Sequence, residues 1–382
     1  MALKKKILII QHSSNFGGAT VSLNETLSCL CKENITILGP DNIQKVIKTN
    51  DKDIKILSLK KKLGSFPLYS GGGKLYSLMY YFNLLKIPLS GFEIRKVITK
   101  LQPDILIVNS IILSHVAIFV PLCIPCKKII WIRETRVSSF RIFELLIQKL
   151  LISRFDNAIF ISSYDLKAYK LNNKNQTVIP NVYTKHELTK PGNSCNEKLI
   201  NIFYCGGFAK IKGFFLLCKI VKQLNITNVN IICSGFDLRE INKPTLKSMI
   251  LRRKYKFLKK FPCVEILPYN QNINELYNRS NASIILFETP HQARVIIESG
   301  LHHLPVLAPK FKCFTEIYDE NKEIIYFKPN SVKDFLKKLE YMISNWDNMK
   351  ELALRLNEKV TKLHCRLKFR KSIKSLMHNE CQ

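Results

Sequence analysis

The sequence predicts an α/β protein made of two doubly wound lobes. Three observations carry that expectation. Short β-branched and apolar runs alternate with helix-period segments, the pattern of βαβ units on a parallel sheet. Those runs are apolar at successive positions, as in a sheet covered by helices on both faces. The rhythm pauses in one polar segment near residue 190 and then restarts.

In the first lobe the strand runs are Ile7–Ile10, Ile35–Leu38, Ile54–Leu57, Ile105–Val108, Ile129–Ile132 and Ala158–Ile161. Helical patterns lie between most of them. The segment from Thr184 to Asn196 is polar and contains Pro191 and Gly192, so it reads as a linker. The first lobe is therefore expected over residues 1–190 and the second over 191–382. The second-lobe runs are Leu199–Tyr204, Val229–Cys233, Val264–Leu267, Ala282–Phe287, Pro305–Ala308 and Glu323–Phe327. The tail from Ser331 to Gln382 reads as helical and basic. It is grouped with the second lobe, and packing against either lobe is left open.

The chain of 382 residues is 46 % hydrophobic, which excludes a disordered chain, and its 14 glycines exclude a collagen-like one. Its formal net charge of +31 favours anionic partners: nucleic acid, acidic lipid headgroups or phosphorylated substrates. The sequence is also rich in Lys, Ile and Asn, so drift in an A/T-rich genome is an alternative source of charge. The 12 cysteines are scattered, mostly inside apolar runs, and only Cys123 and Cys126 form a C-x-x-C. Buried free thiols in a reducing cytoplasm are the expectation, with metal or redox use the lesser alternative. The apolar stretch Ile7–Ile10 is shorter than a signal peptide requires, so export is not expected. Ile105 to Cys126 is uncharged and long enough to span a bilayer. It contains Pro121 and Pro125 and divides into strand, helix and the approach to a strand, which favours a buried sheet.

Two stretches combine basic and aromatic residues. Lys60 to Lys86 includes Lys60, Lys61, Lys62, Phe66, Tyr69, Tyr76, Tyr80, Tyr81 and Phe82, and Lys247 to Lys260 reads KSMILRRKYKFLKK. Each fits either a solvated helix face or a membrane-surface patch.

Three segments carry candidate chemistry. Gly17 and Gly18 follow the first strand and precede a helix, where a phosphate can approach the backbone. A plain packing turn fits equally, and neither a Walker A nor a G-x-G-x-x-G pattern is present. The second lobe opens on a strand ending at Gly206-Gly207, with Lys212-Gly213 leading into a helix. A lysine beside a glycine-lined turn suits a diphosphate, and a solvated lysine is the alternative. In the third, ETPHQARVIIESG, a helix is expected to begin near Gln292, its N-terminus suited to an anion. Glu298 lies about 1.5 turns further along, and a carboxylate can accept two hydrogen bonds from vicinal hydroxyls. His302 and His303 read as helix-end residues. No metal-ligating set and no Ser/His/Asp signature are apparent.

Together these segments resemble the GT-B retaining glycosyltransferases of family 4 (glycosyl transferases group 1). That family combines an N-lobe Gly-Gly loop, a C-lobe GR-x-x-x-x-KG segment and an E-x7-E helix. Gly17-Gly18 match the first, Gly206 with Lys212-Gly213 the second, and Arg294 to Glu298, followed by Pro305-Val306, the third. AIFISSYDLKAY, TVIPNVY with Asn181, FTEI with Glu316, and WIRET with Arg133 and Glu134 are further echoes across nearly the whole chain. Three positions depart from the pattern. Gly207 replaces the arginine, Pro290 replaces the first glutamate with Glu288 two residues earlier, and Lys312-Cys313 replace a Gly-Gly.

The resemblance implies two Rossmann-like lobes facing a cleft. It implies transfer of a sugar from a nucleotide-sugar to a hydroxyl acceptor with retention, by front-face attack and without a bound metal or other cofactor. Lys212 and Glu298 are the implied catalytic residues, and Gly17, Gly18, Gly207, Gln292, Ala293, Arg294 and Glu298 the donor-binding set. Arg133, Glu134 and Glu288 are implied acceptor or cleft candidates. The implied partners are the donor and a glycan or lipid-linked acceptor in surface polysaccharide or lipopolysaccharide assembly. The expected location is the cytoplasm, with peripheral contact to an anionic inner membrane face. Two rivals remain: a GT-B partner subunit with impaired catalysis, suggested by Pro290 and Gly207, and a basic nucleic-acid-binding protein. No RNA- or DNA-binding signature supports the latter, so no nucleic-acid partner is expected.

Overall fold

The computed structural model describes residues 4–13, 17–30, 33–47, 54–66, 82–135, 142–171, 175–183, 199–268 and 272–378. Tyr69, Tyr76, Tyr80, Tyr81 and the expected linker at 184–196 lie outside the described residues. The chain divides into two units, residues 1–184 with 364–382, and residues 185–363.

In the first unit the elements are β1 (Lys6–Ile10), α1 (Gly18–Cys29), β2 (Asn34–Gly39), β3 (Ile54–Ser58), α2 (Ile87–Leu101), β4 (Ile105–Val108), α3 (Val116–Phe119), β5 (Lys127–Ile132), α4 (Ile142–Ile152), β6 (Asn157–Phe160), α5 (Ser163–Tyr169) and β7 (Gln176–Val178). Its seven strands form a sheet in the order β3-β2-β1-β4-β5-β6-β7, and every pairing is parallel. Alternate side chains divide between the faces. Ile7, Ile9, Ile35, Ile37, Ile105 and Ile107 enter one core, and Leu8, Ile10, Leu38, Leu106 and Val108 enter the other. Both faces are thus covered, which is why these runs are continuously apolar. The stretch 105–126 is strand, turn and short helix, and among the described residues no helix is long and apolar enough to cross a membrane.

In the second unit the elements are β8 (Ile200–Cys205), α6 (Phe214–Gln223), β9 (Val229–Phe236), α7 (Leu246–Leu258), β10 (Val264–Pro268), α8 (Ile273–Asn278), β11 (Ala282–Ile284), α9 (Arg294–Leu301), β12 (Val306–Pro309), α10 (Lys312–Thr315), β13 (Ile325–Phe327), α11 (Val332–Ser344) and α12 (Trp346–Leu363). The six-stranded sheet runs β10-β9-β8-β11-β12-β13, again parallel throughout. One core holds Ile202, Tyr204, Ile231 and Cys233. The other holds Phe203, Ile232, Leu276 and Tyr277.

The division differs from the expected 1–190 and 191–382. The last helix, α13 (Arg366–His378), belongs to the first unit rather than the second. Phe369, Ile373 and Met377 recur every fourth residue, forming one apolar stripe that enters the core beneath β1 and β2. Phe369 stacks on Trp131 at 5.8 Å. Lys5 Nζ donates to the Met377 carbonyl at 2.8 Å and Lys127 Nζ to that of Leu376, so two cations meet the helix C-terminus. Among the described residues every cysteine is a free thiol and no His/Cys/Asp/Glu cluster could hold a metal. Cys29, Cys126, Cys218, Cys233 and Cys313 are buried, and burial raises the Cys126 thiol pKa.

Candidate functional site

In an open doubly wound sheet, ligands bind beyond the carboxyl ends of the strands, where strand order reverses. That point lies between β8 and β11 in the second unit and between β1 and β4 in the first.

Gly206 and Gly207 leave β8 at the first of these points. Gly207 has φ +53°, and a Cβ there would overlap the Gly235 carbonyl oxygen, so only glycine fits without movement. Lys212 ends a tight turn whose backbone is fixed on both sides. Its N–H donates to the Ala209 carbonyl at 3.1 Å, and its carbonyl accepts from the buried Tyr204 hydroxyl at 3.2 Å. Gly213 then takes φ +85°, where a Cβ would overlap the Leu286 carbonyl. The Lys212 ammonium acts on two neighbours. Burial lowers the His291 pKa to about 4, and Lys212 contributes to that lowering. Burial pushes the Cys205 thiol to about 11, with Lys212 pulling it down and Glu298 pushing it up. Lys212, Cys205, His291 and Glu298 therefore share one electrostatic neighbourhood.

The third segment begins its helix at Arg294 rather than Gln292, with Ala293 as an N-cap that makes no side-chain capping bond. The methyl group of Ala293 cannot accept from the first-turn N–H groups, which is the arrangement an incoming anion uses. Glu298 is more engaged than the sequence suggests. Its Oε2 accepts from the Tyr277 hydroxyl at 2.8 Å, and its Oε1 from Arg294 Nε at 3.2 Å. Tyr277 stacks on His302 at 5.0 Å, and His302 Nδ1 lies 3.0 Å from Asn278 Oδ1. His302 thus supports the ring that holds Glu298. Glu288 sits beside Lys210 and Lys219, which lower its pKa against the larger upward push of burial. Its N–H donates to the Ile211 carbonyl at 3.0 Å, tying the loop to the lysine turn. Lys312 faces solvent near Glu316, at 4.0 Å.

At the first unit's reversal point, Gly17 caps α1 in an extended conformation, and a Cβ there would meet open space. No backbone constraint requires glycine, so a small residue leaves the helix start approachable. Arg133 follows β5 and is only 8 % exposed. Its Nε donates to Asn109 Oδ1 at 2.7 Å, one terminal nitrogen to Asn181 Oδ1 at 2.5 Å, and the other to Thr26 Oγ1 at 3.3 Å. It also stands 4.1 Å over the Trp131 ring. Asn109 Nδ2 donates to Gln11 Oε1 at 2.7 Å, carrying the network to the end of β1. Glu134 accepts from the Ser110 hydroxyl, from Ile111 N–H at 3.2 Å and from Arg133 N–H at 3.1 Å. His12 lies within the field of both: burial lowers its pKa most, Glu134 raises it, and Arg133 lowers it.

The sequence reading missed Gln11, His12, Asn109, Cys205, Tyr277 and His291. A signal existed for the first three. Polar residues directly follow fully apolar strand runs, in ILII-Q-H and ILIV-N-S as in IIWI-R-E.

Residues 185–362 match the family described as glycosyl transferases group 1. Similar solved structures include Anabaena HepE in complex with UDP and glucose, at 16 % identity and TM-score 0.77, covering 98 % of this chain and 100 % of that one. A glycosyltransferase from Rickettsia africae gives 15 % identity and TM-score 0.70, covering 98 % of each chain. Sucrose-phosphate synthase from Thermosynechococcus elongatus gives 15 % and 0.73, covering 98 % of this chain and 99 % of that one. No curated protein matches the sequence. With two helix-flanked parallel sheets and 98 % of its length covered by these matches, the chain has the GT-B glycosyltransferase fold, and its second unit carries the match to glycosyl transferases group 1.

Proposed function

We propose that this protein transfers a hexose-like sugar from a nucleotide-sugar to a hydroxyl acceptor with retention, in cell-surface polysaccharide or lipopolysaccharide assembly. The observation that carries the reading is Lys212, fixed on a glycine-bounded turn at the strand-order reversal, where its charge lowers the His291 pKa. A leaving diphosphate needs preorganised positive groups, and Lys212 with the start of α9 supplies them without a metal. In the second unit Gly207, Gln292, Ala293 and Arg294 are the proposed donor-binding residues, with Glu288 a further candidate; in the first unit Gly17 and Gly18 are proposed for the donor and Arg133 and Glu134 for the acceptor. The bound UDP and glucose in the HepE complex support a nucleotide-sugar as donor class. A thermal-shift screen against nucleotide-sugars, followed by donor turnover with and without EDTA, tests the reading. Stabilisation by no nucleotide-sugar overturns it, and loss of turnover with EDTA overturns its metal-free part.

Glu298→Gln should weaken nucleoside diphosphate binding by about 10-fold, because the charge-assisted hydrogen bonds become neutral ones. Calorimetry with the nucleotide that stabilises the wild type measures it. Unchanged affinity removes Glu298 from the ribose role and leaves it as the structural partner of Arg294 and Tyr277.

The second reading, a partner subunit with impaired catalysis, is favoured by Pro290 and by the glycine requirement at 207. Donor hydrolysis by the purified protein decides between the two.

The lipid-linked acceptor implies peripheral contact with the inner face of the cytoplasmic membrane. Lys60, Lys61 and Lys62 are exposed, and Glu93 accepts from the backbone N–H groups of Lys60 at 2.6 Å and Lys61 at 2.9 Å. Leu85, Leu89 and Phe92 are exposed on and just before α2. Lys60→Glu with Lys61→Glu and Lys62→Glu should reduce co-sedimentation with anionic vesicles by about 10²-fold, at ~1 kcal/mol per basic residue. Equal pelleting of variant and wild type returns these lysines to a solvated face.

A further inference from the structure

We propose that the outward face of α7, in the second unit, docks on an anionic lipid bilayer. This goes beyond the membrane contact placed above, which lies in the first unit, and it does not depend on the transfer chemistry.

The inner face of α7 is well anchored. Ser248, Leu251 and Leu258 are buried, and Tyr255 packs edge-on against Phe208 at 5.6 Å. Thr245 and Ser248 close a capping box, with Ser248 N–H donating to Thr245 Oγ1 at 3.2 Å and Thr245 N–H to Ser248 Oγ at 3.1 Å. The helix is therefore formed before any partner arrives.

Its outer face has two halves. Leu246, Met249 and Ile250 are 74 %, 63 % and 47 % exposed, at i, i+3 and i+4. The same stripe continues through exposed Arg253 and Lys256, and exposed Lys260 lies in the turn just after the helix. Arg252 donates to the Ile241 carbonyl at 3.0 and 2.7 Å, holding the preceding turn and its exposed Leu238 against the helix. From residue 241 to 264 there are eight Lys or Arg and no Asp or Glu. Of the flanking acids, Asp237 pairs with Arg239 at 2.8 Å and Glu265 with Arg279 at 3.0 Å, while Glu240 is exposed at the edge of the stretch.

A solvated helix face accounts for the lysines but leaves three adjacent large apolar side chains in water. A polyanion such as nucleic acid would use the charges and gain nothing from those three. A bilayer uses both: apolar side chains enter below the headgroups while cations meet the phosphates.

The test is co-sedimentation of the full chain, without donor, on phosphatidylcholine vesicles with and without phosphatidylglycerol. Arg253→Glu with Lys256→Glu and Lys260→Glu should lower binding to the anionic vesicles about 10²-fold or more. Leu246→Ser with Met249→Ser and Ile250→Ser should lower it about 10-fold. All six positions are exposed, so thermal stability should be retained. A Leu246→Trp variant should show blue-shifted emission with phosphatidylglycerol vesicles and none with phosphatidylcholine alone. Wild-type binding by the serine variant, or an unshifted Leu246→Trp emission, overturns the proposal and leaves a polyanion surface. Oligonucleotide binding that depends on the cations and ignores the serine changes would identify that surface as nucleic-acid-binding. If the lysine changes at 60–62 abolish vesicle binding while both α7 variants bind normally, the α7 proposal falls and the first-unit contact stands. Donor hydrolysis measured separately on the same variants tests the transferase reading, so the two fail independently.

Discussion

Lys212→Ala is expected to lose about 10²–10³-fold in transfer rate, the scale seen when one preorganised donor to a developing anion is removed. The substitution should leave the second unit stable. What the turn uses is the Lys212 backbone: its N–H on the Ala209 carbonyl and its carbonyl under the Tyr204 hydroxyl. Alanine keeps both. The ammonium's charge instead bears on His291 and Cys205, lowering the pKa of each. That gives a second measurement that needs no substrate. His291 is held at about 4 by burial and by the Lys212 charge. Removing that charge favours the protonated imidazole, so the His291 pKa should rise in Lys212→Ala, read by NMR titration. Normal turnover in the variant rejects the diphosphate role. An unmoved His291 rejects the geometry on which it rests.

The strand runs were legible in the sequence because a sheet covered on both faces leaves a signal at every residue. Ile7 to Ile10 point alternately into two cores, so all four are apolar, and the same holds for Ile105 to Val108. The glycine-bounded lysine turn was legible for a related reason. Gly207 and Gly213 have positive φ and face backbone carbonyls, which only glycine tolerates. What the sequence did not reveal depends on partners far away in the chain. The stripe Phe369, Ile373, Met377 shows that α13 has one buried face, but nothing local says which sheet it covers. Glu298 reads as a carboxylate placed for vicinal hydroxyls, yet its oxygens are met by Tyr277 and Arg294. Arg133 reads as an acceptor or cleft candidate, and nothing local shows that Asn109, Asn181 and Thr26, from distant parts of the chain, converge on it.

Restoring the family's arginine, as Gly207→Arg, is expected to destabilise the second unit by about 3 kcal/mol or more. The resemblance makes this substitution look like a repair, because it would add a positive charge beside the proposed diphosphate site. The backbone opposes it. At φ +53° a side chain already pays left-handed strain of ~1–2 kcal/mol. Its Cβ would also overlap the Gly235 carbonyl oxygen and lie 2.7 Å from the carbonyl carbon. No rotamer relieves that contact, because the obstacle is backbone, and Gly235 is itself at φ +91°. For a unit of this size the loss corresponds to a fall in Tm of about 10 °C. Gly207→Ala isolates the cause: it adds the Cβ without the guanidinium and should lose a similar amount. Ala209→Arg is the control. Ala209 is exposed, with φ −69° and ψ 118°, so it accepts a long cation two residues away with Tm unchanged. If Gly207→Arg melts with the wild type, the close approach of residues 207 and 235 is wrong. If it does so and also raises turnover, the missing arginine was a loss of catalytic charge that this backbone could have kept. Destabilisation by both the arginine and the alanine would instead show that the loop has committed to glycine, with Lys212 carrying the charge at this turn.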